Sequence, residues 1–165
     1  MSTQTAIYAG SFDPLTNGHL WMIQRGLELF DRLVVSIGSN PSKSYTFSVK
    51  ERLTLIQASV PSCERLEITE FHNRYLVDYA RELGADFILR GIRSPQDYDY
   101  ERVLRHINSD IAPEIQTVFL MPPRDIAELS SSMVKGLIGP EGWQNMVRRY
   151  VPKPVFERLE KEPRG

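Results

Sequence analysis

Apolar positions along the chain switch between two periods, and the switching predicts the architecture. Ala6-Ile7-Tyr8-Ala9 reads as a short buried strand. Past a polar loop, Leu20, Ile23, Leu27 and Phe30 fall three, four and three apart, the spacing of one helical face. Leu33 to Ile37 is a β-branched run and the expected second strand. Ser48 and Glu51 form a capping box, and Val49, Leu53, Ile56 and Val60 follow at helical spacing. Leu66 and Ile68 alternate as a third strand, and a helix from about Tyr75 to Leu83 ends at Gly84. Asp86 to Leu89 is a fourth strand. Ser94 and Pro95 then open a helix in the order N-cap, N1 proline. Its expected buried stripe is Tyr100, Leu104, Ile107 and Ile111, with Asp97, Glu101 and Arg105 four apart on another face. Gln116 to Leu120 is a fifth strand, stopped by Pro122-Pro123. Ser130-Ser131-Ser132 leads into a short helix through Lys135, and the tail after Gly142 reads as one or two helices, with Trp143 in the core and a frayed end at 162–165. Strand and helix therefore alternate without an internal repeat. The expected fold is α/β: a single Rossmann-like doubly wound domain over 1–165, with a five-stranded parallel sheet and a C-terminal helical segment from about residue 140.

Composition narrows the function. A formal net charge of −1 argues against a general electrostatic grip on nucleic acid, so basic residues must act locally. The single cysteine, Cys63, excludes an internal disulfide and fits a reducing compartment. No charged apolar leader and no membrane-length apolar run is visible, so the expectation is cytoplasmic. The three histidines, His19, His72 and His106, lack metal-ligand spacing, and no G-x-S-x-G elbow is present. Neither a protein-held metal nor a nucleophilic serine is expected.

What remains is positional. Polar, basic or small-residue loops follow the C-terminal ends of the predicted strands: Gly10-Ser11 after the first, Lys43 after the second, Arg90 and Arg93 after the fourth, the serine triplet after the fifth. Open parallel sheets bind ligands outside those ends. Thr16 is a plausible N-cap with His19 in the first turn, where free N–H groups and the helix dipole favour a phosphate. Each feature has a plainer reading as well: a capped helix with a surface histidine, a solvated charge, a capping serine. Convergence of four separated segments on one cleft is what favours the functional reading.

Gly10-Ser11-Phe12-Asp13-Pro14 with Thr16-Asn17-Gly18-His19 resembles the T/H-x-G-H signature of the nucleotidylyltransferase superfamily. Asn40-Pro41-Ser42-Lys43, Arg90-Gly91-Ile92-Arg93, Asp97 to Glu101, Val118 to Pro122, and Ser130-Ser131-Ser132 with Lys135 extend the resemblance, toward the phosphopantetheine adenylyltransferase family within it. That resemblance implies transfer of AMP from ATP to 4′-phosphopantetheine, giving dephospho-coenzyme A and pyrophosphate without a covalent enzyme intermediate. It implies catalytic roles for Ser11, His19, Lys43 and Arg93. ATP would lie against Ser11, Phe12, His19, Gly91, Ile92, Arg93 and Glu101, together with the segment Ile126, Ala127, Glu128, Leu129, Ser130, Ser131 and Ser132. The acceptor would lie against Ser11, Lys43, Leu76 and Arg90. Magnesium accompanying ATP, a homohexamer and feedback binding of coenzyme A are implied on the same ground.

Ala9 and Ser11 depart from the proline and threonine usual in that family, though the hydroxyl survives. Asn73-Arg74-Tyr75 departs from its usual turn, and the resemblance thins after Lys135. Two other readings stay open at this level: a nicotinamide or nicotinate mononucleotide adenylyltransferase, which shares the first motif, and a nucleotide-binding regulatory module without turnover. Glycerol-phosphate cytidylyltransferases would favour a different loop near Ser132 and a shorter chain.

Overall fold

Strand β1 (Thr5–Gly10) runs through the middle of the sheet, and the other elements are laid down on either side of it. The structure, a computed structural model, describes residues 3–40 and 42–162. The remaining strands are β2 (Arg32–Ser39), β3 (Leu66–His72), β4 (Phe87–Gly91) and β5 (Gln116–Leu120). Their order across the sheet is β3-β2-β1-β4-β5, every neighbouring pair parallel. The chain winds outward from β1 in one direction, then returns to its other side, so strand order reverses at the β1–β4 seam. A doubly wound sheet binds ligands outside that seam. The expected fold class and all five strands are borne out.

Alternating side chains divide the sheet into two buried faces. Ala6, Tyr8, Leu33, Val35, Ile37 and Leu89 face one core, covered by helices α1 (Asn17–Leu29) and α2 (Val49–Ser59). Three C-terminal helices complete that cover: α5 (Ser131–Leu137), α6 (Trp143–Val147) and α7 (Lys153–Glu160). Ile7, Val34 and Ile88 face the other core, under α3 (Leu76–Glu82) and the end of α4 (Pro95–Ile111). Trp143 lies in the first core, as expected. Both nucleating caps are present: Thr16 for α1, and the reciprocal Ser48–Glu51 box for α2. The expected fraying falls largely on 163–165, outside the described residues, as does Pro41.

Helix α4 departs from expectation. Its predicted stripe is only partly covered: Leu104 and Ile111 are half-buried, but Tyr100 is 64 % and Ile107 45 % exposed. Its one buried side chain is Glu101. The periodicity marks an apolar face correctly, but within the chain only part of that face finds cover. An arginine at the end of β4 draws the carboxylate inward.

Candidate active site

The turn after β1 is built by close packing around Phe12. Phe12 takes the left-handed backbone conformation, φ 49°, and its ring meets Tyr8 and His19 edge-on at 5.6 and 5.1 Å between centroids. A Cβ on Gly10 would stand 3.2 Å from that ring, so glycine here makes room for Phe12 instead of making the turn itself. Next door, the buried Asp13 carboxylate accepts from the Thr46 and Phe47 amides at 2.8 and 2.9 Å, tying this turn to the loop before α2.

His19 is the third residue of α1 and serves as its own helix's cap. Its Nδ1 accepts the Thr16 backbone N–H at 2.9 Å, the reciprocal contact usually made by Glu or Gln. That fixes the neutral tautomer with the proton on Nε2, leaving a donor for the cleft that the ring lines. Burial, and then the Arg93 charge, push its pKa from 6.5 down to about 4. The imidazole is therefore neutral near pH 7.

One stability prediction follows from this depression. The unfolded chain binds the His19 proton more tightly than the folded one, so stability is full above pH 6.5 and declines as pH falls toward about 4. At ~1.4 kcal/mol per pKa unit the loss is capped near ~3 kcal/mol, less for a partly open ring. His19→Gln keeps a capping acceptor but cannot titrate, and should flatten this part of the acid limb in chemical-denaturation curves. Identical limbs would remove His19 as its cause.

Arg90, at the end of β4, and Arg93, just past it, are each held by a carboxylate of α4. Arg90 donates Nε to Glu101 Oε2 at 2.9 Å, Nη2 to Glu101 Oε1, and Nη1 to the Ala9 carbonyl at 3.0 Å. Burial opposes the Arg90 charge, and Glu101 overrides it, holding the pKa above the ordinary arginine value. Arg93 donates Nε to Asp97 Oδ2 at 2.9 Å and Nη1 to the Leu129 carbonyl at 3.1 Å. Partial burial works against the Asp97 carboxylate, but the Arg93 hydrogen bonds and charge keep its pKa below the usual range. Asp97 and Glu101 therefore aim cations into the site. Among the described residues, no group of three His, Cys, Asp or Glu side chains could hold a metal ion.

Two adjoining clefts open at the β1–β4 seam. The first, about 280 Å³, takes in His19, Gly91, Arg93 and Glu101 from the predicted ATP set, with Ile126, Leu129, Ser130 and Ser131. The second, about 690 Å³, takes in Ser11, Lys43 and Leu76, three of the four residues assigned to the acceptor. The fourth, Arg90, lines both, as do Ala9 and Gly10. Leu76 arrives in the second cleft despite the divergent turn before it.

Other predicted residues stand elsewhere. Ser11, assigned to both substrates, lines only the second cleft. Phe12 lines neither and is packed in the core behind His19. Ile92 lines a separate apolar depression with Tyr98 and Phe119. Ala127, Glu128 and Ser132 belong to the right loop and helix start but line neither cleft. The first cleft also takes in Thr16, Met22 and Pro122, and the second Tyr45 and Arg74, none of which was assigned to a substrate from the sequence. Only Thr16 carried a local signal, as an N-cap.

The chain is similar over residues 7–137 to the cytidylyltransferase-like family. It is 54 % identical to the phosphopantetheine adenylyltransferase of Chromobacterium violaceum, over 93 % of this chain and 94 % of that one. It is 58 % identical to that of Neisseria meningitidis serogroup C, over 93 % and 91 %. Among solved structures, the nicotinic acid mononucleotide adenylyltransferase of Plasmodium falciparum, complexed with NaAD, shares the fold. Its TM-score is 0.66 at 17 % identity, over 97 % of this chain and 96 % of that one.

Proposed function

Because the chain belongs to the phosphopantetheine adenylyltransferase family, we propose that its two clefts join ATP to 4′-phosphopantetheine. The reaction moves AMP onto the acceptor's phosphate and yields dephospho-coenzyme A and pyrophosphate. A phosphate oxygen of the acceptor bonds to the α-phosphorus of ATP, and the bond to the bridging oxygen breaks, pyrophosphate leaving with the electron pair. The nucleophile is already an anion at neutral pH, so no protein base is required. Catalysis then rests on holding two anions end to end and stabilising charge as the bond breaks.

The observation that carries this reading is Arg90, a planar two-sided cation shared by both clefts, where the two phosphates must meet. ATP would occupy the cleft of His19, Gly91 and Arg93, with its triphosphate toward the N-terminus of α1 and the Nε2 proton of His19. The acceptor phosphate would sit between Ser11, Lys43 and Arg90. Magnesium enters as part of the Mg-ATP substrate; the site's donors are cations and amides, and its carboxylates are engaged by Arg90 and Arg93.

Homohexamer formation is part of this proposal, supported by the open apolar face of α4 bearing Tyr100, Val103 and Ile107. Feedback binding of coenzyme A would use the acceptor cleft, since product and acceptor share the pantetheine chain. A cytoplasmic location fits the single cysteine; among the described residues no helix is long and apolar enough to cross a membrane.

Pyrophosphate release from Mg-ATP with 4′-phosphopantetheine tests the reading. Turnover with nicotinate mononucleotide alone, or ATP binding with no pyrophosphate from either acceptor, would overturn it. Lys43→Ala should raise the acceptor KM by about tenfold or more, the weight of one hydrogen bond to a charged group, with ATP KM little changed. Equal shifts in both constants would contradict the placement of Lys43, which is exposed at the mouth of the second cleft.

A further inference from the structure

Arg52 has no place in the chemistry above, yet it is the largest fully buried side chain among the described residues, 1 % exposed. It sits in the first turn of α2, on the same side as Leu55 and Ile56. No carboxylate pairs with it: its Nη1 donates to the Ser11 carbonyl at 2.7 Å, and its guanidinium lies 4.2 Å from the Tyr45 ring centroid. Its Nε has no hydrogen-bond partner. A buried cation satisfied by one neutral carbonyl and an aromatic face is costly unless something anionic comes near it.

The two groups it holds are the walls of the acceptor cleft. Ser11 is one wall. Tyr45 continues to the other: its hydroxyl accepts the Asn40 N–H at 2.9 Å, and the Asn40 carbonyl accepts the Lys43 N–H at 3.0 Å. One chain of contacts thus runs from the Ser11 loop through Arg52, Tyr45 and Asn40 to Lys43, and all but Arg52 line the second cleft. Asp13 pins the same loop farther on, through Thr46 and Phe47. Deleting the Arg52 link would therefore loosen the spacing of Ser11 and Lys43 while the loop stays anchored.

We propose that Arg52 is a positioning residue of the acceptor cleft, fixing Ser11 against the Lys43 loop and lending its unpaired charge to the binding of an organic phosphate there. This rests on the acceptor assignment given above. A purely structural buried arginine would lower the melting temperature and leave the ratio of the two KM values alone. A positioning one splits them.

The experiment measures kcat, both KM values and the melting temperature for wild type, Arg52→Met, Arg52→Lys and Tyr45→Phe. Arg52→Met should raise the 4′-phosphopantetheine KM by about tenfold or more, the effect expected for one hydrogen bond to a charged group, with ATP KM within about twofold. Arg52→Lys should recover part of this by restoring charge. Tyr45→Phe removes only the hydroxyl that accepts from Asn40, and should raise the acceptor KM several-fold at an unchanged melting temperature. Parallel rises in both KM values, or a fall in melting temperature alone, would overturn the proposal. Should Arg52→Met not fold, Tyr45→Phe decides, and an unmoved acceptor KM would overturn it. Wild-type protein that does not turn over 4′-phosphopantetheine would instead defeat the acceptor assignment itself.

Discussion

Replacing His19 with alanine is expected to lower kcat by about 10²–10³-fold, the loss seen when one fixed donor to a developing oxyanion is removed. The expectation comes from the tautomer. Nδ1 is engaged by the Thr16 N–H, so Nε2 carries the proton, on a ring that lines the first cleft. A neutral donor suits this position, because Arg93 already supplies positive charge and because burial, and then that charge, lower the imidazole pKa to about 4. The alanine variant also loses a cap, worth ~1 kcal/mol of helix stability, so a fall in activity alone would be ambiguous. His19→Gln separates the two effects, since glutamine is a natural partner in a capping box. Stability should return with Gln while kcat stays low. A folded Gln or Ala variant with wild-type kcat would remove the imidazole from the mechanism.

How far this site can be read in the sequence depends on whether each signal is local. The strands were legible because β-branched and apolar runs such as Leu33 to Ile37 have few alternatives. Thr16 and Ser48 were legible because capping is decided within three residues. His19 as the reciprocal cap was not, since that position usually carries Glu or Gln. The failure of the α4 stripe has a different cause. Periodicity reports which face is apolar but not what lies opposite it, and the inward turn of Glu101 is dictated by Arg90, eleven residues away. Arg52 left a faint trace: it lies three residues from Val49 and four from Ile56, a cation on the apolar side of α2. The resemblance to a family grouped Gly91, Ile92 and Arg93 as one segment. Alternation along the turn separates them, Gly91 and Arg93 toward the first cleft and Ile92 away from it.

Arg93 carries the second large effect, and its two roles make the variants diagnostic. One edge of the guanidinium is held by Asp97, while Nη1 bonds the Leu129 carbonyl in the loop that closes the first cleft. Alanine removes both the cation that the proposed ATP placement sets beside the triphosphate and the tether on the Leu129 carbonyl. The expected outcome is a fall in kcat/KM for ATP of about 10³-fold or more, in the range of arginines that stabilise phosphoryl-transfer transition states, equivalent to ~4 kcal/mol. Lysine restores a point charge but cannot hold Asp97 and Leu129 at once, so Arg93→Lys should recover only part of that loss. Asp97→Asn, which keeps the shape and removes the countercharge, should act mainly on ATP KM by letting the guanidinium swing. Steady-state kinetics with ATP varied at saturating acceptor reads these outcomes, and limited proteolysis within 121–130 reads the tether independently. Arg93→Lys with wild-type kcat/KM would show that a point charge suffices and that the planar fork has no part in catalysis.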